Sequence, residues 1–170
     1  MFSFCCFNSN PKEDEEPNYF NHTYENTKKF SLSGLECYAR VVKVYDGDTI
    51  TVVMKVFGDV YKFSVRISGI DACEMTSKNP EEKAKAIKAR NRILQMLNCI
   101  DSVDKVLTNK DILHMLNIKV YIVKVKCFDF DKYGRLLADV FINEKNIGEV
   151  LLNDKLAYKY DGGTKLKEII

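Results

Sequence analysis

Three short runs rich in β-branched and aromatic residues, spanning 38–45, 50–57 and 60–67, follow one another with almost nothing between them. Residues of these kinds favour a pleated, half-buried backbone. The connections are Asp46-Gly-Asp-Thr49 and the dipeptide Gly58-Asp59, both of turn composition. Links this short cannot carry a crossover between parallel strands, so the three runs form an antiparallel meander.

The rest of the chain must cover that sheet or close it. Residues 68–79 are a loop by composition. Asn79 followed by Pro80, with Glu82 three residues beyond the cap, marks the start of a helix running to about Leu97. Ala84, Ile87, Leu94 and Leu97 fall mostly on one face, and Lys83, Lys85, Arg90 and Arg92 largely on others. That basic side either approaches nucleic acid or is simply solvated. Residues 99–116 read as an irregular connection with a short helical piece at 111–116. Residues 118–128 alternate as a strand, and a change of phase at Ile122-Val123 predicts a bulge. A turn at 129–134, a fifth strand at 135–142, a short helix at 146–153 and a loop at 156–165 complete the chain. Five short strands with a helix between the third and fourth suit a small closed barrel of the OB type. The expected class is α+β, mainly β: a five-stranded OB-fold barrel with packed helices.

Composition bounds the function. With 170 residues, 46% of them hydrophobic and 29% charged, the chain is globular and long enough for one real core. No apolar run approaches the roughly 20 residues of a membrane-spanning helix. Residues 1–35, with Pro11, Pro17 and the acidic run at 13–16, read as a flexible acidic tail, and residues 36–170 as the folded domain. The apolar start, residues 1–7, is short and lacks a basic n-region and a small-residue cleavage site, so no secretory signal is expected, and Phe2 excludes myristoylation. The pair Cys5-Cys6 is a weak acylation signal, so lipid anchoring stays open beside an unmodified terminus. The six cysteines form no C-x-x-C pair and have only His22 and His114 as partners, which argues against zinc. Without a signal, reduced thiols in an intracellular, cytoplasmic protein are expected, and a monomer with them.

Asp46-Gly-Asp-Thr49 sets two carboxylates two residues apart. On extended backbone they share a face, and their repulsion calls for a proton or a cation. Oxygen ligands suit a hard cation. Taken alone, the segment reads first as an ordinary Asp-Gly turn. Arg66 lies in the apolar run Val65-Arg-Ile67, so alternation turns it away from its neighbours. Asp71 and Glu74 follow in the loop that Gly69 can bend, and Arg135 comes directly after the turn Asp131-Lys-Tyr-Gly134. Two arginines with several carboxylates are the equipment for phosphodiester hydrolysis. A cation and guanidinium forks neutralise the phosphate, and a carboxylate manages the attacking water. Singly, each residue has an ordinary surface explanation; the set raises the odds. Asp129-x-Asp131 resembles the opening of an EF-hand loop but has Val140 where that loop needs Glu. His22 and His114 have no supporting context for nucleophilic catalysis.

Val44-Tyr-Asp-Gly-Asp-Thr-Ile-Thr51, Val65-Arg-Ile-Ser-Gly-Ile-Asp-Ala-Cys-Glu74 and Asp131-Lys-Tyr-Gly-Arg-Leu-Leu-Ala138 resemble the three signature segments of the staphylococcal, thermonuclease-type nuclease family. They come in that family's order and at similar spacings, over roughly residues 38–165. The resemblance implies a calcium-dependent nuclease that hydrolyses DNA, RNA or both and leaves 3′-phosphates. It assigns Asp48 and Asp71 as calcium carboxylates, Asp46 as an acidic neighbour and Ala72 as a backbone-carbonyl ligand. It makes Glu74 the general base or water-orienting group, and Arg66 and Arg135 the phosphate-binding arginines. Lys132 and Tyr133 match positions that hold a terminal phosphate. Two features depart from the pattern. Ala72-Cys73 stands where family members often have Thr-Pro, which removes a hydroxyl and a rigid residue. The C-terminal helix is also shorter. Tyr158 and Tyr160 are candidates for stacking on bases. A non-catalytic OB-fold module that binds nucleic acid or protein is the alternative reading.

Overall fold

The computed structural model describes residues 19–161, in two units, one up to Phe30 and one from Ser31 onward. In the first, residues 19–30 form turns held locally: the Thr23 amide donates to Asn26 Oδ1 (2.8 Å), and the Asn26 side-chain amide donates to the Asn21 carbonyl (2.8 Å). Cys5 and Cys6 lie outside the described residues.

In the second unit, β1 (Glu36–Val44), β2 (Thr49–Val56) and β3 (Asp59–Ile67) form the antiparallel meander that the three runs predict. The hairpin turn is centred on Phe57 and Gly58, one residue earlier than composition places it, and Asp59 already pairs with Val56. Both central residues have positive φ, 52° and 94°, the twist that a two-residue hairpin needs. β5 (Ile122–Phe130) pairs with β1 and with β6 (Leu136–Ile142), both antiparallel. β6 then returns to β3 in parallel, with Val65 opposite Leu136 and Arg66 opposite Leu137. This seam closes a five-strand barrel, as the OB pattern predicts. Val41, Ile50, Val52, Val65, Ile67, Val125 and Leu136 are among the residues that fill the core.

The parallel seam requires a long crossover between β3 and β6, and two helices lie within it, before β5. In α1 (Pro80–Met96), Asn79 Oδ1 accepts from the Glu81 amide (2.9 Å). Glu82 does not return to the cap. It accepts instead from Ser77 Oγ (2.6 Å), which itself accepts from the Asn79 amide (3.2 Å). Ala86, Ala89, Ile93 and Leu94 face the core. Arg90 is buried with them, not on the basic outer face. α2 (Asn109–Ile118) is longer than the predicted piece because Thr108 and Asp111 form a complete capping box, while Ile112 and Leu116 pack inward. The phase change at Ile122-Val123 is the junction of α2 with β5, not a bulge. The register shifts lie instead within Val41–Lys43 and Cys127–Phe130.

Two loops by composition contain strands. β4 (Ile70–Ala72) pairs with β8 (Ala157–Lys159). A two-residue β7 (Lys145–Asn146) leads into α3 (Ile147–Asn153), capped by Asn146. No helix of the described residues is long and apolar enough to cross a membrane.

Candidate active site

Asp46-Gly-Asp-Thr49 is a turn between β1 and β2 and not extended backbone. Asp46 Oδ1 closes it by accepting from the amides of Asp48 (3.1 Å) and Thr49 (2.8 Å). The turn is wedged into the core, so both carboxylates are buried, Asp46 at 8% exposure and Asp48 at 4%. Gly47 is required there. A Cβ at this position would stand 2.6 Å from the Ala89 Cβ on α1 and 2.8 Å from the Ala72 Cβ on β4.

Asp48 is the hub. Its Oδ1 accepts from Thr49 Oγ1 (2.8 Å), and its Oδ2 accepts from the Ala72 amide (3.0 Å) and pairs with Arg66 Nη1 (2.8 Å). Arg66 spans to Asp71 through Nη2 (2.8 Å), donates to the Ile70 carbonyl (3.2 Å), and lies 5.6 Å from the centre of the Tyr160 ring. Arg135 is held from the other side. Its Nε donates to Asp131 Oδ2 (2.8 Å), its amide to Asp131 Oδ1 (2.9 Å), and its Nη1 to Thr49 Oγ1 (3.4 Å). Thr49 thus links Asp48 to Arg135.

Burial, and then the charge of Asp48, push the Asp46 carboxyl up to about 6, against the pull of its two backbone N–H donors. Burial alone would lower the Arg66 guanidinium, but Asp48 and Asp71 outweigh it and hold it above its ordinary value. Slight burial works against ionised Asp131, yet the N–H groups of Arg135 and Tyr133 and the Arg135 guanidinium keep its carboxyl below the usual range.

Asp46, Asp48, Arg66, Asp71, Ala72, Glu74 and Arg135 all line one cavity of about 200 Å³. A wider groove of about 1140 Å³ shares Arg66, Asp71, Glu74 and Arg135 with it and adds Lys132, Tyr133 and Tyr160. The metal, catalytic and phosphate-binding residues singled out from the sequence all border these two adjoining spaces, as does Tyr160, whereas Tyr158 packs against Lys85 instead.

Residues 64–168 match the family model described as staphylococcal nuclease homologue. The chain belongs to this family. As a staphylococcal nuclease homologue it carries a nuclease-type fold. The matched stretch contains Arg66, Asp71, Ala72, Glu74, Lys132, Tyr133 and Arg135, and begins after the turn that holds Asp46 and Asp48. The chain is also similar to an uncharacterized protein of Methanocaldococcus jannaschii. The two are 29% identical over 161 residues, covering 86% of this chain and 70% of that protein.

Two neighbours escape a sequence reading of this staphylococcal nuclease homologue: Thr49 joins the two halves of the site, and Asp131 fixes Arg135. Tyr160, a stacking candidate from the sequence, lies beside Arg66. The available signal was the aspartate opening the turn, since such a side chain accepts from the N–H groups that follow it, here those of Tyr133 and Arg135. As for a metal, the pocket offers hard oxygen donors, with four carboxylates along its wall against two guanidiniums. That chemistry and charge fit a calcium ion. Among the described residues, no group of three or more His, Cys, Asp or Glu side chains converges as a metal cluster. Asp48 and Asp71 are instead joined through Arg66.

Proposed function

We propose that this chain is a calcium-dependent nuclease that hydrolyses phosphodiester bonds of DNA, RNA or both and leaves 3′-phosphates. One observation carries the reading: two anchored guanidiniums and Glu74 face the same small, carboxylate-lined pocket. Asp48 and Asp71, with Asp46 beside them and the Ala72 carbonyl, would hold calcium. When bound, the ion supplies positive charge to the phosphoryl oxygens. Arg66 and Arg135 bind those oxygens and stabilise the charge that grows on them at the pentacoordinate stage. Asp131 keeps Arg135 at the pocket wall, so little reorganisation is needed as that charge grows. Glu74 accepts a proton from the attacking water. The water oxygen bonds to phosphorus, the P–O5′ bond breaks, and the departing 5′ oxygen takes up a proton. Lys132 and Tyr133 hold a terminal phosphate in the adjoining groove.

A non-catalytic binding module is the second reading. It draws support from Ala72-Cys73 beside the pocket and from Arg66 already neutralising two of the carboxylates. Digestion of plasmid and single-stranded DNA, with calcium and with chelator, separates the two. The nuclease reading expects cleavage with calcium only, and a loss of about a hundredfold or more in Glu74→Gln and Arg135→Ala with the fold intact. Full activity in either purified variant sinks it, and binding without any calcium-dependent cleavage establishes the module instead.

A further inference from the structure

A third cavity, of about 370 Å³, lies between α1 and the segment 103–109. It shares Met75 with the catalytic pocket, and it shares no lining residue with the Lys132–Tyr133 groove. The catalytic pocket therefore adjoins this space as well as that groove. The lining of this space pairs two chemistries. Met75, Val106 and Leu107 are apolar, and Lys88, Arg90 and Lys105 set three cations against the one carboxylate of Asp104.

Arg90 is the decisive residue. It is 2% exposed, and its guanidinium donates only to neutral oxygens, Asn109 Oδ1 (3.2 Å) and the Leu107 carbonyl (3.1 Å). Its Nε is buried without a hydrogen-bond partner, and among the described residues no carboxylate pairs with it. A buried cation without a counter-charge is costly, and an arriving anion relieves that cost. Lys88 and Lys105 sit in exposed pairs with Asp104 (3.1 Å) and Asp101 (3.2 Å). Such pairs are weak and readily exchanged for another anion. Val106, 95% exposed, offers an apolar surface at the same place.

Resting on the nuclease reading, we infer that this cavity is a second nucleotide subsite for single-stranded nucleic acid. It takes one unpaired base against the apolar wall and the neighbouring phosphate against the cations, beyond the scissile bond. A duplex keeps its bases paired and cannot fill such a cavity. Apolar contact with a base face reads no hydrogen-bonding edge, so it tolerates any sequence.

The test is binding of fluorescein-labelled oligothymidylates of two and six nucleotides, read by anisotropy in chelator, alongside cleavage of both in calcium. Wild type is expected to bind the hexamer about tenfold tighter than the dimer, from the added phosphate contacts with the cations and burial of one base. Lys88→Glu/Lys105→Glu and, separately, Val106→Asp lose most of that gain while circular dichroism melts stay near wild type. If both variants keep the full length dependence, the subsite is wrong. If wild type shows no length dependence, it is equally wrong. Length-dependent binding without any cleavage supports the subsite and removes the nuclease reading. Cleavage with no length effect does the reverse.

Discussion

Arg66→Gln tests whether the pocket is organised around positive charge. The arginine makes two 2.8 Å ion pairs, to Asp48 and to Asp71, and the three side chains are only 12%, 6% and 16% exposed. Charges about 4 Å apart interact by roughly 4 kcal/mol at an effective dielectric of 20. Part of this is offset because the substitution also removes the cost of burying the guanidinium, and glutamine keeps one amide donor. Breaking a buried pair from one side typically costs about 3–5 kcal/mol. Given the partial exposure, a loss of about 3 kcal/mol follows, or roughly 10 °C in Tm for a domain of this size. The assay is a circular dichroism melt at neutral pH in chelator, repeated in millimolar calcium. Calcium replaces the missing charge, so the difference from wild type shrinks by more than half. Arg92→Gln is the control. Its pair with Asp154 is more open to solvent, at 30% and 37% side-chain exposure, and its loss costs about 1 kcal/mol or less. If Arg66→Gln melts no lower than Arg92→Gln in chelator, the ion pairs do not organise the site. If the deficit is the same with calcium, the pocket does not take the ion.

Two further outcomes follow from the same turn. Gly47→Ala should cost about 2–3 kcal/mol in urea unfolding, because its new methyl meets the Cβ atoms of Ala72 and Ala89, which have no rotamer to escape into; a variant as stable as wild type would show that the wedge is loose. Asp46 titrates at about 6 when folded, above the usual 3.8, so the folded state holds its proton more tightly. The Asp46 contribution to stability in chelator therefore falls as pH rises from about 4 to about 6, and Asp46→Asn removes that contribution. The variant gains on wild type by on the order of 2 kcal/mol between pH 4 and pH 7, and a urea-midpoint difference that ignores pH refutes the shift.

The strands of the barrel were legible because each is long enough to show alternation or a dense β-type composition. Val65 and Ile67 point inward and Arg66 outward, as their order requires. β4 and β8 were not legible, since three residues carry no period, yet their pairing sets Asp71 opposite Tyr158 and Ala72 opposite Ala157. Arg90 was misplaced for a different reason. Its charge argued for solvent, but its spacing from Ala86 and Ile93 is four and three residues, which puts it on the buried face. Spacing prevailed over side-chain type because neutral oxygens from the 107–109 segment receive its N–H groups. The Asp-Gly segment shows how two readings can both hold. It is the ordinary turn that composition favours, and it also delivers two carboxylates to one pocket.

Why residues far apart in sequence meet is a matter of register. Thr49 lies opposite Arg66 across β2 and β3, and Arg66 lies opposite Leu137 across the parallel seam of β3 and β6. The first pairing brings the Asp48 turn to Arg66; the second brings the Asp131–Arg135 turn, which leads into β6. A slip of one residue at either ladder would turn Arg66 into the barrel and Val65 and Ile67 out of it, exposing two fully buried side chains. Hydrophobic burial thus fixes the same register that the charged site needs. Closure of the barrel and assembly of the site are one event, so a variant that opens the β3–β6 seam should lose the pocket before it loses the meander.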